Sequence, residues 1–321
     1  MSEEFSNLSD NRAFEDVLNT YMSRRKLIVG SLAGAALTFV GARVASASAS
    51  NGSSAKTASQ VVAAKSPKIG FTSIPLQGSP MPTIAPEYSY SVLIPWREKL
   101  DGSGKSFDYA GFTAAQQEQS IGIGHDCMWY FGDNKKGLLC INHEYGTTSH
   151  IMGKSVPTSA ADVALSQTAH GISVVAIENV GGKWKVAKSK KNRRVHVNTL
   201  ATISGPVAKS ALIQNAAGNP IQGTMNNCAN GKTPWGTYLT CEENFNGYFG
   251  TNDKAWKPNT DQARYGLSAA GFGYEWHKFD ARFDLSNAGY VNEINRFGWV
   301  VEIDPNNPKQ VPVKRTALGR I

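Results

Sequence analysis

The sequence predicts an all-β fold, built from many short strands joined by long loops. Three observations lead there. Apolar or alternating runs of strand length recur from Ser66 onward. The chain holds 31 Gly and 14 Pro among 321 residues, a loop-rich composition, while 41% hydrophobic residues leave enough apolar surface for a core. Helical periodicity is confined to one stretch, Ser159 to His170. No clean internal repeat is present, so periodicity alone does not identify a propeller.

The elements follow in order. "YSYSVLIPW", Tyr88 to Trp96, alternates and then becomes apolar, as a strand would. "GLLCINHEY" is a short apolar run that ends in polar residues. "GISVVAIENVGGKWKVA" reads as a hairpin turning at Gly181-Gly182. "WGTYLTCEE" and "FGWVVEIDP" are two further strands, each ending in acids, and "QVPVKRTAL", Gln310 to Leu318, alternates again. Arg320 and Ile321 follow that run with no cap or polar tail, as expected of a chain that stops inside its fold.

The first 49 residues differ from the rest. Arg24 and Arg25 stand in tandem before an apolar run from Leu27 to Val40. That run is short for a bilayer span of ~20 residues, and Ala45-Ser46-Ala47 or Ala47-Ser48-Ala49 has the form of a signal cleavage site. The segment therefore reads as a twin-arginine signal peptide over residues 1–49, removed rather than kept as a stable membrane anchor. The route carries folded proteins, often with a metal cofactor, to a periplasmic or secreted destination. Residues 50–65 are small and polar and read as a flexible linker; residues 66–321 form the folded domain.

Net charge is +8, which suits acidic substrates or anionic surfaces without choosing among them. The basic run "KWKVAKSKKNRR", Lys183 to Arg194, carries a single aromatic, Trp184, and no known nucleic-acid motif; it reads as a solvated hairpin edge and loop, not a nucleic-acid surface. There are four cysteines, Cys127, Cys140, Cys228 and Cys241. In an oxidising compartment, Cys228 and Cys241 are expected to pair, whereas Cys127 and Cys140 are left open.

Three segments share one form, an apolar strand stopping at oxygen ligands. They are "CINHEY" with Cys140, Asn142, His143 and Glu144; "TCEENFNG" with Glu242, Glu243, Asn244 and Asn246; and "FGWVVEIDPNN" with Glu302, Asp304 and Asn306. Strand alternation puts Cys140, Asn142 and Glu144 on one face, and Glu302 with Asp304 on another. Adjacent acids such as Glu242 and Glu243 repel unless cations lie near them. Oxygen donors suit calcium, and a thiolate or imidazole among them shifts the preference towards a transition metal such as iron.

Together, "INHEY", "NNCANGKTPWGTYLTCEENFNGYFG", "NRFGWVVEIDP" and "SGPVAKSALI" resemble the PhoX-type alkaline phosphatases, from the leader to Leu318. The resemblance implies a β-propeller and hydrolysis of small phosphate esters at a cluster of Fe3+ and Ca2+; a monomer is expected. It implies Cys140 as the iron-ligand cysteine and Glu242 as an iron or bridging ligand, with Asn142 completing the catalytic set. Glu144, Glu243, Glu302 and Asp304 follow as calcium ligands or phosphate-orienting groups. His143 supports the strand end, and His125 and Asp126 are weaker candidates. Family members usually carry glycine where this chain has Cys127, and they continue well past "KRTALGR". An incomplete propeller and weak activity are therefore expected. The rival readings are a non-catalytic calcium-binding β-propeller domain and an exported metal hydrolase of another class, such as a lactonase.

Overall fold

The computed structural model describes residues 72–75, 78 and 81–319. The signal peptide expected over 1–49 and the linker expected over 50–65 lie outside the described residues. Residues up to Tyr90 and residues from Ser91 onward cluster as separate compact units. In the first, Thr72 donates to the Glu87 carboxylate through its backbone N–H, 3.2 Å from Oε2, and through its hydroxyl.

The second unit is mostly sheet. Its first sheet contains β1 (His125–Gly132), β2 (Lys136–His143), β3 (Gly171–Val180) and β4 (Lys183–Val186) in that order, with β5 (Arg193–Val195) also pairing β3. All of these pairings are antiparallel. The second sheet has the order β6-β10-β9-β8-β7, from β6 (Thr202–Ile203), β7 (Asn227–Lys232), β8 (Tyr238–Glu242), β9 (Trp299–Ile303) and β10 (Val313–Ala317). Only β6 on β10 is parallel. The helices are α1 (Ala114–Gln117), α2 (Thr148–Met152), α3 (Ala160–Ala169) and α4 (Thr260–Arg264). Ser159 caps α3 by accepting a hydrogen bond from the Asp162 N–H, where the helical periodicity begins.

The expected hairpin forms as β3 and β4. Gly181 and Gly182 take φ of 61° and 84°, the left-handed pair that a two-residue turn requires. The strand expected over Tyr88 to Trp96 does not form. Ile94 has φ of 59°, which interrupts the extended backbone, and Pro95 withholds a ladder donor.

Two bulges shape the site. The β1–β2 register slips between His125 and Met128, and the β7–β8 register slips between Asn227 and Asn230. A bulge turns an extra residue out of the ladder and re-aims its side chain. The core between the sheets joins Cys140, Ile172, Val174 and Val195 of the first to Tyr238, Trp299, Val301 and Ile303 of the second. A second core gathers Tyr248, Phe249, Trp276, Phe283 and Phe297 from the 3-10 turns after β8. No helix among the described residues is long and apolar enough to cross a membrane.

Candidate metal centre

The two bulges and two strand ends bring four potential ligands together. Asp126 sits in the β1 bulge and Cys228 in the β7 bulge. Glu144 follows the last residue of β2, and its N–H donates to the Gly124 carbonyl at 2.8 Å. Gly124 has φ of 63°, and a Cβ there would collide with the Tyr145 carbonyl oxygen, so only glycine lets the two segments cross this closely. The ligand atoms of Asp126, Glu144 and Cys228 all lie within 4.8 Å of one another, each half-buried.

Glu243, just past β8, completes the cluster electrostatically. Burial, then a hydrogen bond and charge from Asp126 and the charge of Glu243, raises the Glu144 carboxyl to about 7. Burial pushes the Cys228 thiol up to about 12, and its hydrogen bond to Glu243 and the charge of Asp126 act the same way. No basic side chain contributes to either shift. Two carboxylates and a thiol so close, with no cationic partner among the described residues, form a donor set that fits a bound cation. The sulfur favours a transition metal such as iron, and the oxygens also suit calcium.

The sequence-predicted residues divide sharply around this centre. Glu144 and Glu243 belong to it. Glu242 does not: its Oε1 takes a 2.8 Å bond from Lys314 Nζ and its Oε2 a 3.1 Å bond from the Trp299 N–H. Both members of the pair are 0% exposed. The adjacent acids thus coexist because strand alternation sends them to opposite faces, Glu242 to a lysine and Glu243 to the cluster. Glu242 therefore needs no cation beside it, since Lys314 balances its charge.

Cys140 packs in the inter-sheet core rather than beside carboxylates, and burial pushes its thiol up to about 12 against the opposing charge of Arg193. Asn142 spends its full hydrogen-bonding capacity inside the protein. Its amide donates to the Cys228 carbonyl at 2.6 Å and the Ala229 carbonyl at 3.3 Å. Its Oδ1 accepts from the Tyr238 and Thr240 hydroxyls at 2.8 and 2.9 Å. Nothing is left for a substrate, so Asn142 buttresses the bulge that presents Cys228.

Glu302 pairs opposite Leu239, four residues along β8 from Glu243, or roughly 13 Å at ~3.3 Å per residue. Its carboxylate is taken by Arg315 at 2.6 Å, Thr237 at 2.6 Å and Trp235 at 2.8 Å. Asp304 lies past the end of β9 and closes a turn, accepting the Asn306 N–H at 2.8 Å. Neither joins the cluster. His143 is buried against Ser173 at 2.7 Å, and burial holds its imidazole neutral, as expected of a supporting residue.

The expected Cys228–Cys241 disulfide is absent, and all four cysteines are free thiols. The β7 bulge explains this. It lifts Cys228 out of register with β8 and aims it at Asp126 and Glu144 instead. Cys228 is absent from the ligands expected from sequence because its loop-sized spacing from Cys241 reads as a bridge. Asp126 was undervalued because "GHDCM" carries no apolar alternation to announce β1. The residue preceding the "NC" pair, Asn226, is the signal that was overlooked, since an Asn before a strand marks a left-handed turn.

Comparison with known proteins bears directly on this arrangement. The family model "Alkaline phosphatase PhoX" matches residues 69–321. A solved structure described as "Pseudomonas fluorescens PhoX in complex with vanadate, a transition state analogue" is 43% identical, with a TM-score of 0.73 over 78% of this chain. The match spans 45% of the Pseudomonas chain, less than half its length. Comparison with curated proteins gave no match. Most of the chain is therefore covered by one family's pattern, and the chain belongs to the PhoX alkaline phosphatase family.

Proposed function

We propose that this protein is an exported metal-dependent hydrolase of phosphate monoesters, with its metal centre at Asp126, Glu144, Cys228 and Glu243. The observation that carries the proposal is the convergence of Asp126, Glu144 and Cys228 within 4.8 Å, in a chain whose family is alkaline phosphatase. The thiol ligand assigned to Cys140 from sequence moves to Cys228, and Glu242, Asn142, Glu302 and Asp304 become structural. The similarity to a phosphatase described with vanadate, an analogue of the phosphoryl transition state, supports the same reading.

A cation bound here would supply Lewis acidity towards phosphoryl oxygens and offset charge on the leaving oxygen. The chain's own residues do the rest. Asp126, Glu144 and Glu243 concentrate negative charge that repels a phosphate dianion until it is neutralised, so ligand loading and substrate binding are coupled. The proton that burial favours on the Glu144 carboxyl would leave on loading of the site, as would the Cys228 thiol proton. Asn142 and the two bulges keep the donors convergent, which lowers the cost of assembling them.

The thiol among the donors favours Fe3+ accompanied by Ca2+ over calcium alone, and so favours the enzyme over a purely calcium-binding domain. We further infer that the two sheets are blades of a β-propeller. We also infer that Arg24 and Arg25 direct folded export by the twin-arginine machinery to the periplasm or beyond, as a monomer without a stable membrane anchor. Changing both arginines to lysine is expected to hold the protein in the cytoplasm, and normal delivery of that variant would argue for another route.

The decisive assay is hydrolysis of p-nitrophenyl phosphate by protein loaded with iron and calcium. Activity lost in chelator, inhibited by vanadate and abolished in Asp126→Asn is the expected outcome. Calcium-dependent stabilisation without turnover would establish the calcium-binding domain instead, and cleavage of lactones without phosphoesters would establish the other hydrolase.

A further inference from the structure

We infer that Asn226 is a positioning residue that sets the spacing between Cys228 and Glu243 in the metal centre. The inference rests on the proposed function above. Asn226 precedes the β7 bulge and stands two residues before Cys228. Its carbonyl accepts the Glu243 N–H at 2.9 Å. Its Oδ1 accepts the Asn244 N–H at 2.6 Å. Its Nδ2 donates to the Tyr248 hydroxyl at 3.1 Å, and that hydroxyl donates in turn to the Glu144 carbonyl at 3.5 Å.

One buried side chain thus joins all the ligand-bearing segments except β1. It is attached to the segment of Cys228, bonded to the Asn244 N–H just past Glu243, and linked through Tyr248 to the backbone at Glu144. Its geometry matches that role. Asn226 has φ of 49°, one of four non-glycine residues recorded with positive φ among the described residues. Asn tolerates this left-handed region better than most residues, and the conformation turns both its amide and its carbonyl towards the end of β8. Tyr248 is equally fixed, fully buried and stacked on Tyr274 with ring centroids 4.2 Å apart. Partners behind a metal's ligands that are held this way typically govern affinity by ~10- to 100-fold.

The test uses cobalt(II), whose thiolate charge-transfer absorption reports a bound sulfur, titrated into the full chain after chelation. Wild type is expected to show the band, and Cys228→Ser to lose it. Asn226→Gly keeps the left-handed backbone and the carbonyl bond to Glu243 but removes both side-chain bonds; it is expected to bind cobalt ~10-fold more weakly, with a shifted band. Asn226→Asp restores the acceptor for the Asn244 N–H and is expected to recover most of the affinity. If Asn226→Gly fails to fold, Tyr248→Phe carries the test, with a weaker loss of ~3-fold expected because one bond of the chain is removed. Wild-type affinity and band in the folded Asn226→Gly or Tyr248→Phe variant, with Cys228→Ser silent, would overturn the positioning role and leave the site intact. A band that survives in Cys228→Ser would overturn the site itself.

Discussion

Replacing Lys314 by methionine tests whether Glu242 is balanced by a lysine or by a metal. In the structure the ammonium lies 2.8 Å from Glu242 Oε1, donates to the Arg296 carbonyl and sits 4.3 Å from the Phe297 ring centroid. Methionine fills much of the same volume but leaves the carboxylate buried with one remaining donor, the Trp299 N–H at 3.1 Å. Breaking a buried pair on one side costs about 3–5 kcal/mol. The surviving charge-assisted bond keeps the loss near the lower end, about 3 kcal/mol. In a unit of this size each kcal/mol moves the melting temperature by about 2–4 °C, so a fall of about 6–12 °C is expected. Urea denaturation in chelator measures it without metal linkage. Glu242→Gln should also melt lower in chelator, and the double variant should recover part of the loss of Lys314→Met, since the unpaired charge is gone. If Lys314→Met costs under about 1 kcal/mol and Glu242→Gln melts higher than wild type in chelator, Glu242 belongs to a repelling acid cluster and the lysine reasoning fails.

Three further outcomes follow from the same geometry. Glu144, raised from 4.5 to about 7, binds more protons folded than unfolded between those values, so chelated protein should lose stability as pH rises across that window. Discounted for solvent screening at a half-buried group, the loss is about 1–2 kcal/mol; urea midpoints at both ends should show it in wild type and not in Glu144→Gln, and a wild-type stability that climbs instead would contradict the cluster. Under non-reducing conditions, mass analysis should find four free thiols, with exposed Cys127 labelled first and buried Cys140 only on unfolding; a bridged Cys228–Cys241 would remove the thiol ligand. Gly124→Ala should lower both stability and cobalt affinity, because a Cβ meets the Tyr145 carbonyl, and unchanged affinity would separate that crossing from the site.

Much of the fold was legible. β2, the β3–β4 hairpin, β8, β9, β10 and α3 all lie where apolar runs, the Gly-Gly turn and the Ser159 cap place them. What escaped was written in irregular residues. β1 and β7 are short on apolar alternation, and β7 reads "NCANGK" with one buried position and the rest half-buried or exposed. The candidate site was legible in kind and not in membership. Acids at strand ends pointed to a cation centre, and Glu144 and Glu243 lie at the proposed one. Sequence adjacency then misassigned Glu242, because neighbours on a strand face opposite ways. Counting acids could not reveal that Arg315 and Lys314, far along the chain, neutralise Glu302 and Glu242. Cys140 and Cys228 are equally plausible thiols in sequence, and only the packing separates one in an apolar core from one among carboxylates.

The central claim is the location of the metal, and anomalous scattering at the iron edge from crystals of iron-loaded protein tests it most directly. The account predicts an iron peak bounded by Asp126, Glu144 and the Cys228 sulfur, with Glu243 alongside. A peak at Cys140, or one shared by Glu242 with Glu302 and Asp304, would contradict it.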